Sequence, residues 1–266
     1  MKKLHVIKIG GNVIDNPEYI EPFIENFAGI NERKVLVHGG GKLASTLAEK
    51  LGIKQVLVEG RRITNIKTLK ITTMVYGGLI NKNIVAKLQK YNCNSIGFCG
   101  ADGNLIKSKK REFDKVDFGY VGDILDEGIN VDLLDTILKM GITPVISPIT
   151  YDGKGGLLNT NADTIAAAIA IGLSSIYDVE LTFCFEKNGI LLDTRREDSF
   201  IHELHKKQYD DLKERGIVSN GMIPKLDNAF SALDKGVKAI NICHSQNITS
   251  NMSKIKGTQL INIWRN

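Results

Sequence analysis

The sequence is poor in the features that mark secreted, nucleic-acid-binding or membrane-bound chains. Its 266 residues hold only 4 cysteines, 5 prolines and 1 tryptophan, and aromatic residues make up 6%. Cys93, Cys99, Cys184 and Cys243 show no CxxC spacing. They read as free thiols of a reducing compartment rather than as a disulfide framework. So few aromatics exclude a platform on which bases stack. No apolar run approaches the roughly 20 residues of a membrane helix. The N-terminus passes from Met1-Lys2-Lys3 directly into Leu4–Ile9, with Lys8 inside the run. That is too short and too charged for a signal peptide, so a cytoplasmic chain is expected. Charge of a single sign is also lacking. Lys and Arg number 35 against 30 Asp and Glu, a net +5 that is dispersed along the chain. This excess excludes a polybasic arm and suits a small anionic substrate.

What remains is a well-mixed globular chain, 42% hydrophobic and 24% charged, long enough for one large domain or two small ones. Short β-branched runs alternate with helical patterns. Strands are expected at Leu4–Ile9, Lys34–Val37, Gln55–Val58, Ser95–Phe98, Thr143–Ser147, Leu181–Phe185 and Lys238–Cys243. Helices are expected at Glu18–Phe27, Leu43–Leu51, Ile66–Lys90, Val131–Met140, Asp163–Ile171, His202–Glu214 and Lys225–Lys235. Gly52, Gly141, Gly172, Gly216 and Gly236 follow helical runs, where a left-handed terminating residue belongs. Several strands are apolar at consecutive positions, as in a sheet covered on both faces. The pattern is that of an α/β fold with a mostly parallel sheet. Lys107–Gly122 reads as a polar hairpin on the sheet's rim, and the softest division falls at Ser174–Asp178.

Two glycine turns carry the first chemical signal. Lys8-Ile-Gly10-Gly11 closes the first strand, and ligands of parallel sheets bind beyond such strand ends. Tandem glycines let backbone N–H groups approach a phosphate, and Lys8 can bring a charge to the same place. His38-Gly39-Gly40-Gly41-Lys42 closes the second strand. It fails the Walker A pattern, because Leu43 stands where a magnesium-binding Ser or Thr is required. It matches G-x-G-x-x-A through Gly39, Gly41 and Ala44, with Glu59 about twenty residues on, so an NAD-dependent Rossmann dehydrogenase is an alternative. Glycines used only for close helix–strand packing are another.

Further along, Gly60-Arg61-Arg62-Ile63-Thr64 offers an arginine to clamp a carboxylate. Asn161 and Asp163 in Asn159-Thr-Asn161-Ala-Asp163 suit the cap and first turn of a helix, whereas Asn159 has no such explanation. Lys225, following Gly221-Met222-Ile223-Pro224, places a positive charge at a helix N-terminus. That charge is wrong for the helix dipole unless an anion sits nearby. His202 and His205 lie among charged residues and read as a solvated helix face rather than a metal site.

As an ordered set spanning nearly the whole chain, these motifs, together with Gly257-Thr258, resemble the amino acid kinase family, on its acylglutamate branch. The resemblance implies a three-layer α/β/α sandwich around a central, mainly parallel sheet. It implies one continuous domain with two lobes: residues 1–175 for acylglutamate binding and dimerisation, and residues 176–266 for the nucleotide. The implied reaction is ATP-dependent phosphorylation of the γ-carboxylate of an N-acyl-L-glutamate in arginine biosynthesis, with Mg2+ arriving on ATP. An alternative is a kinase of another small carboxylate or carbamate. Lys8 and Lys225 would flank the transferred phosphoryl group, with Asp163 holding both. Gly10, Gly11, Gly39, Gly221 and Met222 would face phosphates and nucleotide. Gly40, Gly41, Arg62, Asn159 and Asn161 would face the substrate. Arg61 stands where the family commonly has an apolar residue, and a second arginine there could pair with the carboxylate of an N-succinyl group.

Two departures qualify the match. The segment Phe183-Cys184-Phe185-Glu186-Lys187-Asn188-Gly189 replaces a Ser/Thr-Asp-Val pattern, so adenine and ribose contacts do not carry over. No helical extension precedes the first strand, which in this family points to a homodimer without arginine inhibition.

Overall fold

The computed structural model describes residues 1–58, 61–112, 116–192, 195–196, 199–217, 222–252 and 255–262. In chain order the elements are β1 (Lys2–Ile9), α1 (Gly11–Asp15), α2 (Pro17–Ala28), β2 (Arg33–His38), α3 (Gly41–Lys50), β3 (Leu57–Val58) and β4 (Arg61–Arg62). Then come α4 (Ile66–Thr72), a π-helical segment (Thr73–Ile80), α5 (Asn81–Lys90), β5 (Ser95–Phe98), β6 (Ile106–Lys110), β7 (Gly122–Ile129), α6 (Val131–Lys139) and β8 (Thr143–Ile146). The chain continues through β9 (Ile149–Tyr151), β10 (Leu157–Asn159), α7 (Ala162–Leu173), β11 (Tyr177–Phe185), β12 (Glu203–His205), α8 (Lys206–Glu214), α9 (Ile223–Asp234), β13 (Ala239–His244) and β14 (Gly257–Ile261).

The main sheet runs β12-β14-β13-β11-β1-β2-β8-β5. Its pairs are parallel except β13 with β14. The order turns back beside β1, whose partners are β2 on one side and β11 on the other. Such a switch point opens a crevice at the carboxyl ends of the strands, where the two glycine turns lie.

The sheet is covered on both faces, as the consecutive apolar runs require. Leu4 and Val6 of β1 pack with Ile165, Ile169 and Leu173 of α7, whereas Ile7 and Ile9 pack with Phe23 and Phe27 of α2. All of these side chains are fully withdrawn from solvent. Burial of each contributes about 1.5–3 kcal/mol. The strand's two-residue alternation puts Lys8 on the α7 face, in line with Leu4 and Val6.

Several expectations need correction. Gln55–Val58 is not a strand of the main sheet. β3 covers only Leu57–Val58 and pairs with β4 in a two-stranded ribbon. Leu57 is 60% exposed, so this ribbon lies at the surface and not in the core. His202–Glu214 is not one helix. Residues 203–205 form β12, with Leu204 fully buried against the sheet, and the helix starts at Lys206. His202 and His205 therefore lose the shared helix face that a metal-site reading needs. Gly172 does not end α7, which runs on to the buried Leu173, and Gly172 packs beside Ile129 and Val131. Lys107–Gly122 is not the whole hairpin: β6 pairs with β7, which begins only at Gly122, and both belong to a second sheet ordered β10-β9-β6-β7 and not to the main sheet's rim. The expected helix over Ile66–Lys90 has the right extent, with the π segment at its centre.

Candidate active site

Lys8 and Asp163 meet because β1 and α7 each end at the crevice. Lys8 Nζ lies 2.7 Å from Asp163 Oδ1, with both side chains 8% exposed. Asp163 is free for this role because another residue caps its helix. Asn161 Oδ1 accepts from the backbone N–H of Asp163 at 2.8 Å and of Thr164 at 3.1 Å. Lys225 arrives in the first turn of α9, and its Nζ is 3.9 Å from Asp163 Oδ2. Burial works against ionisation of Asp163, but the charges of Lys8 and Lys225 and the bond from Lys8 hold its carboxyl below the usual carboxylate range. Burial pushes the Lys225 ammonium below the usual lysine range. Asp163 and Glu186 oppose that shift and Lys8 adds to it. Two cations on one buried carboxylate leave a net positive charge at the crevice.

The glycine turns are built more selectively than the sequence suggests. The Gly10 N–H donates to Cys184 O at 3.2 Å and the Gly39 N–H to Ile9 O at 3.1 Å, so both amides extend the sheet and do not point at a ligand. Gly11 and Gly41 instead begin α1 and α3, side by side. Gly40 has φ +147°, and any Cβ there would overlap Ile80 Cδ1. Behind the turn His38 is fully buried. Its Nδ1 bonds Gly39 O at 2.9 Å and its Nε2 bonds Asn81 Nδ2 at 3.1 Å, with Asn81 also donating to Val145 O at 3.0 Å. A neutral ring with its proton on Nδ1 satisfies both bonds. Burial pulls the His38 pKa down to about 4, opposed by the bond to Gly39 and aided by Lys82.

Arg62 reaches from β4 onto the start of α3. Its Nη2 donates to Gly41 O and Ser45 Oγ, both at 2.8 Å, and its Nη1 donates to Gln55 Oε1. Asn159 donates to Thr64 Oγ1 at 3.0 Å and to no part of α7, consistent with its having no capping role.

A cavity of about 550 Å³ joins these groups. Lys8, Gly11, Gly39, Gly40, Gly41, Arg62, Asn159, Asn161, Asp163 and Lys225 all line it. Gly10 lies behind the lining, and Met222 serves as the N-cap position of α9. Gly221, Glu59 and Gly60 fall outside the described residues, as does the side chain of Arg61. Sequence reasoning missed Ser45, Tyr76 and Arg111, which also line the cavity. Tyr76 packs beside Gly40, and Arg111 is paired through Nε with Asp123 at 3.0 Å. Nothing in their local sequence marks them, though the π segment that carries Tyr76 is of a kind that recurs at functional sites. Among the described residues, no group of three or more His, Cys, Asp or Glu is placed to hold a metal ion.

A model of the amino acid kinase family matches residues 3–244. The chain belongs to the amino acid kinase family. Within that family it is 48% identical to acetylglutamate kinase of Cytophaga hutchinsonii over 98% of this chain and 99% of the relative. It is also 48% identical to acetylglutamate kinase of Parabacteroides distasonis, over 93% and 96% respectively. Carbamate kinase from Giardia lamblia shares the fold with a TM-score of 0.73 at 14% identity, covering 98% of both chains. The family assignment disposes of the dehydrogenase alternative. The structure agrees, because β3, where the ribose acid would stand, is no part of the parallel sheet.

Proposed function

We propose that this chain transfers the γ-phosphoryl group of ATP to the γ-carboxylate of N-acetyl-L-glutamate, giving an acyl phosphate and ADP, as a step of arginine biosynthesis. The observation that carries the proposal is the convergence of Lys8 and Lys225 on the single buried carboxylate of Asp163, in a cavity whose lining also carries Lys42, Arg62 and Arg111. The names of the relatives supply the acceptor. A carboxylate oxygen attacks the γ-phosphorus as the bond to the bridging oxygen of ADP breaks. Both reactants are anions, so the protein's task is alignment and charge neutralisation. Lys8 and Lys225 supply positive charge on the two sides of the moving group, and Asp163 keeps them from repelling one another apart. Magnesium enters on ATP as part of that substrate.

Arg62 is poised to exchange its bonds with Gly41, Ser45 and Gln55 for a substrate carboxylate, beside Asn159. Gly40, Gly41 and Asn161 shape that end of the cavity, and Gly11 and the start of α3 face the phosphates. We assign residues 1–175 to acylglutamate binding and dimerisation and residues 176–266 to the nucleotide. An Arg61 paired with the extra carboxylate of an N-succinyl group would show as faster use of N-succinylglutamate than of N-acetylglutamate. A homodimer is inferred from exposed apolar residues: Ile96 on the edge strand β5, and Met74 and Leu79 in the π segment, are 43%, 57% and 51% exposed. A cytoplasmic setting is inferred from the four free thiols. The test is ADP release from MgATP dependent on N-acetylglutamate, run beside N-succinylglutamate, glutamate, aspartate, carbamate and UMP. Activity confined to the acylglutamates supports the proposal.

A further inference from the structure

The segment Phe183-Cys184-Phe185-Glu186, which breaks the family's pattern, ends β11 at the crevice. Its register with β1 sets Phe183 opposite Lys8 and Cys184 opposite Ile9, so Phe185 comes level with Gly10 in the first glycine turn. There the Lys225 ammonium lies over the Phe185 ring, 5.0 Å from its centroid. We propose that Phe185 is a positioning residue for Lys225, holding the ammonium on its ring face beside the transferring phosphoryl group. This rests on the reading of Lys225 as a phosphoryl-transfer residue.

Lys225 needs such a holder. It stands in the first turn of a helix, where the dipole repels a cation. Lys8 repels it as well and occupies Asp163 Oδ1, which leaves Lys225 the other oxygen at 3.9 Å. The side chain is 32% exposed, so a flexible four-carbon stem could swing into water. The remaining charged group near it is Glu186, whose Oε1 is engaged by Asn12 Nδ2 at 2.9 Å. On α9 itself, Asp227 is committed to Tyr209 and Lys213. An aromatic face within about 6 Å attracts an ammonium, more so where water is partly excluded. It does so without a formal charge. A second carboxylate would compete with the phosphates for Lys225, whereas a ring yields the ammonium to them as negative charge develops.

The test replaces Phe185 with fluorinated phenylalanines, which weaken the ring's negative face with little change of shape, and with Phe185→Leu and Phe185→Tyr. Turnover is measured with MgATP and N-acetylglutamate. The pH dependence of Lys225 modification by an amine reagent is followed by peptide mass spectrometry without substrate. The expected result is a stepwise fall in kcat with each added fluorine, reaching about tenfold for the trifluoro ring and for Phe185→Leu. Both KM values stay within about twofold, because the contact matters most in the transition state. The midpoint of Lys225 modification moves to lower pH, and Phe185→Tyr keeps both kcat and the midpoint near those of the unaltered protein. Should kcat and the modification midpoint ignore fluorination, Phe185 only fills space and the proposal is overturned. If Phe185→Leu fails to fold, the fluorinated series decides alone. Absence of acylglutamate-dependent ADP release from the unaltered protein would overturn the proposed function, and the modification profile would still decide whether Phe185 holds Lys225.

Discussion

The ammonium of Lys8 lies 2.7 Å from Oδ1 of Asp163, while Lys225 approaches the other oxygen of the same carboxylate at 3.9 Å. The two lysines differ in freedom: Lys8 is fixed on a buried strand, whereas 32% of the Lys225 side chain is open to solvent.

Asp163→Asn removes the shared carboxylate and leaves the helix cap on Asn161 intact. The variant should fold, with stability reduced by about 3 kcal/mol because the buried Lys8 and the partly buried Lys225 lose their partner. Its turnover should fall at least about 100-fold. Circular dichroism melts and ADP release measure the two effects separately. Near-normal turnover would remove Asp163 from the mechanism.

Lys225→Ala should raise the barrier by about 3 kcal/mol while changing the KM for ATP little, since its contact strengthens as charge moves. A large rise in KM with kcat preserved would make it a binding residue instead.

His38 gives a pH prediction. Its folded pKa of about 4 lies below its ordinary 6.5. The unfolded chain therefore takes up the proton first, and the stability present above pH 6.5 is lost as pH falls toward 4. The loss amounts to about 3 kcal/mol across that window. Urea melts at pH 7 and pH 4.5 should show it. His38→Gln, which cannot titrate, should show a smaller loss between the two pH values. Equal losses in both proteins would place the acid sensitivity elsewhere.

Gly40→Ala should cost about 2 kcal/mol or more, because the residue sits at φ +147° and its Cβ would overlap Ile80. A second change, Ile80→Ala, relieves the overlap but not the backbone strain, so rescue should be partial. Full rescue would mean that packing alone demands glycine there.

The main sheet and the two lysines that meet at Asp163 were legible in the sequence because their signals are local. A strand with apolar residues on both faces reads directly, and a lysine at its end stands out against it. Lys8, Lys225 and the capping Asn161 are of this kind. Gln55–Val58 reads as a core strand because a short apolar run looks the same in a core strand and in an exposed ribbon. Cover by another layer distinguishes them, and it comes from elsewhere in the chain. Ser45, Tyr76 and Arg111 were missed for the same reason. Each is an ordinary residue locally and gains its position only when α3, the π segment and the residue after β6 meet at the crevice. The glycine turns were half legible: their place was plain, but which amides the sheet consumes depends on pairing with β11 and β1.

The central claim is tested most directly by steady-state ADP release from MgATP with N-acetylglutamate, N-succinylglutamate, glutamate, aspartate, carbamate and UMP compared side by side. The account predicts catalytic efficiency for an N-acylglutamate at least about 100-fold above every acceptor lacking the acyl group, since polar groups built for a missing partner are left unpaired. Faster turnover of carbamate, aspartate or UMP than of either acylglutamate would contradict it.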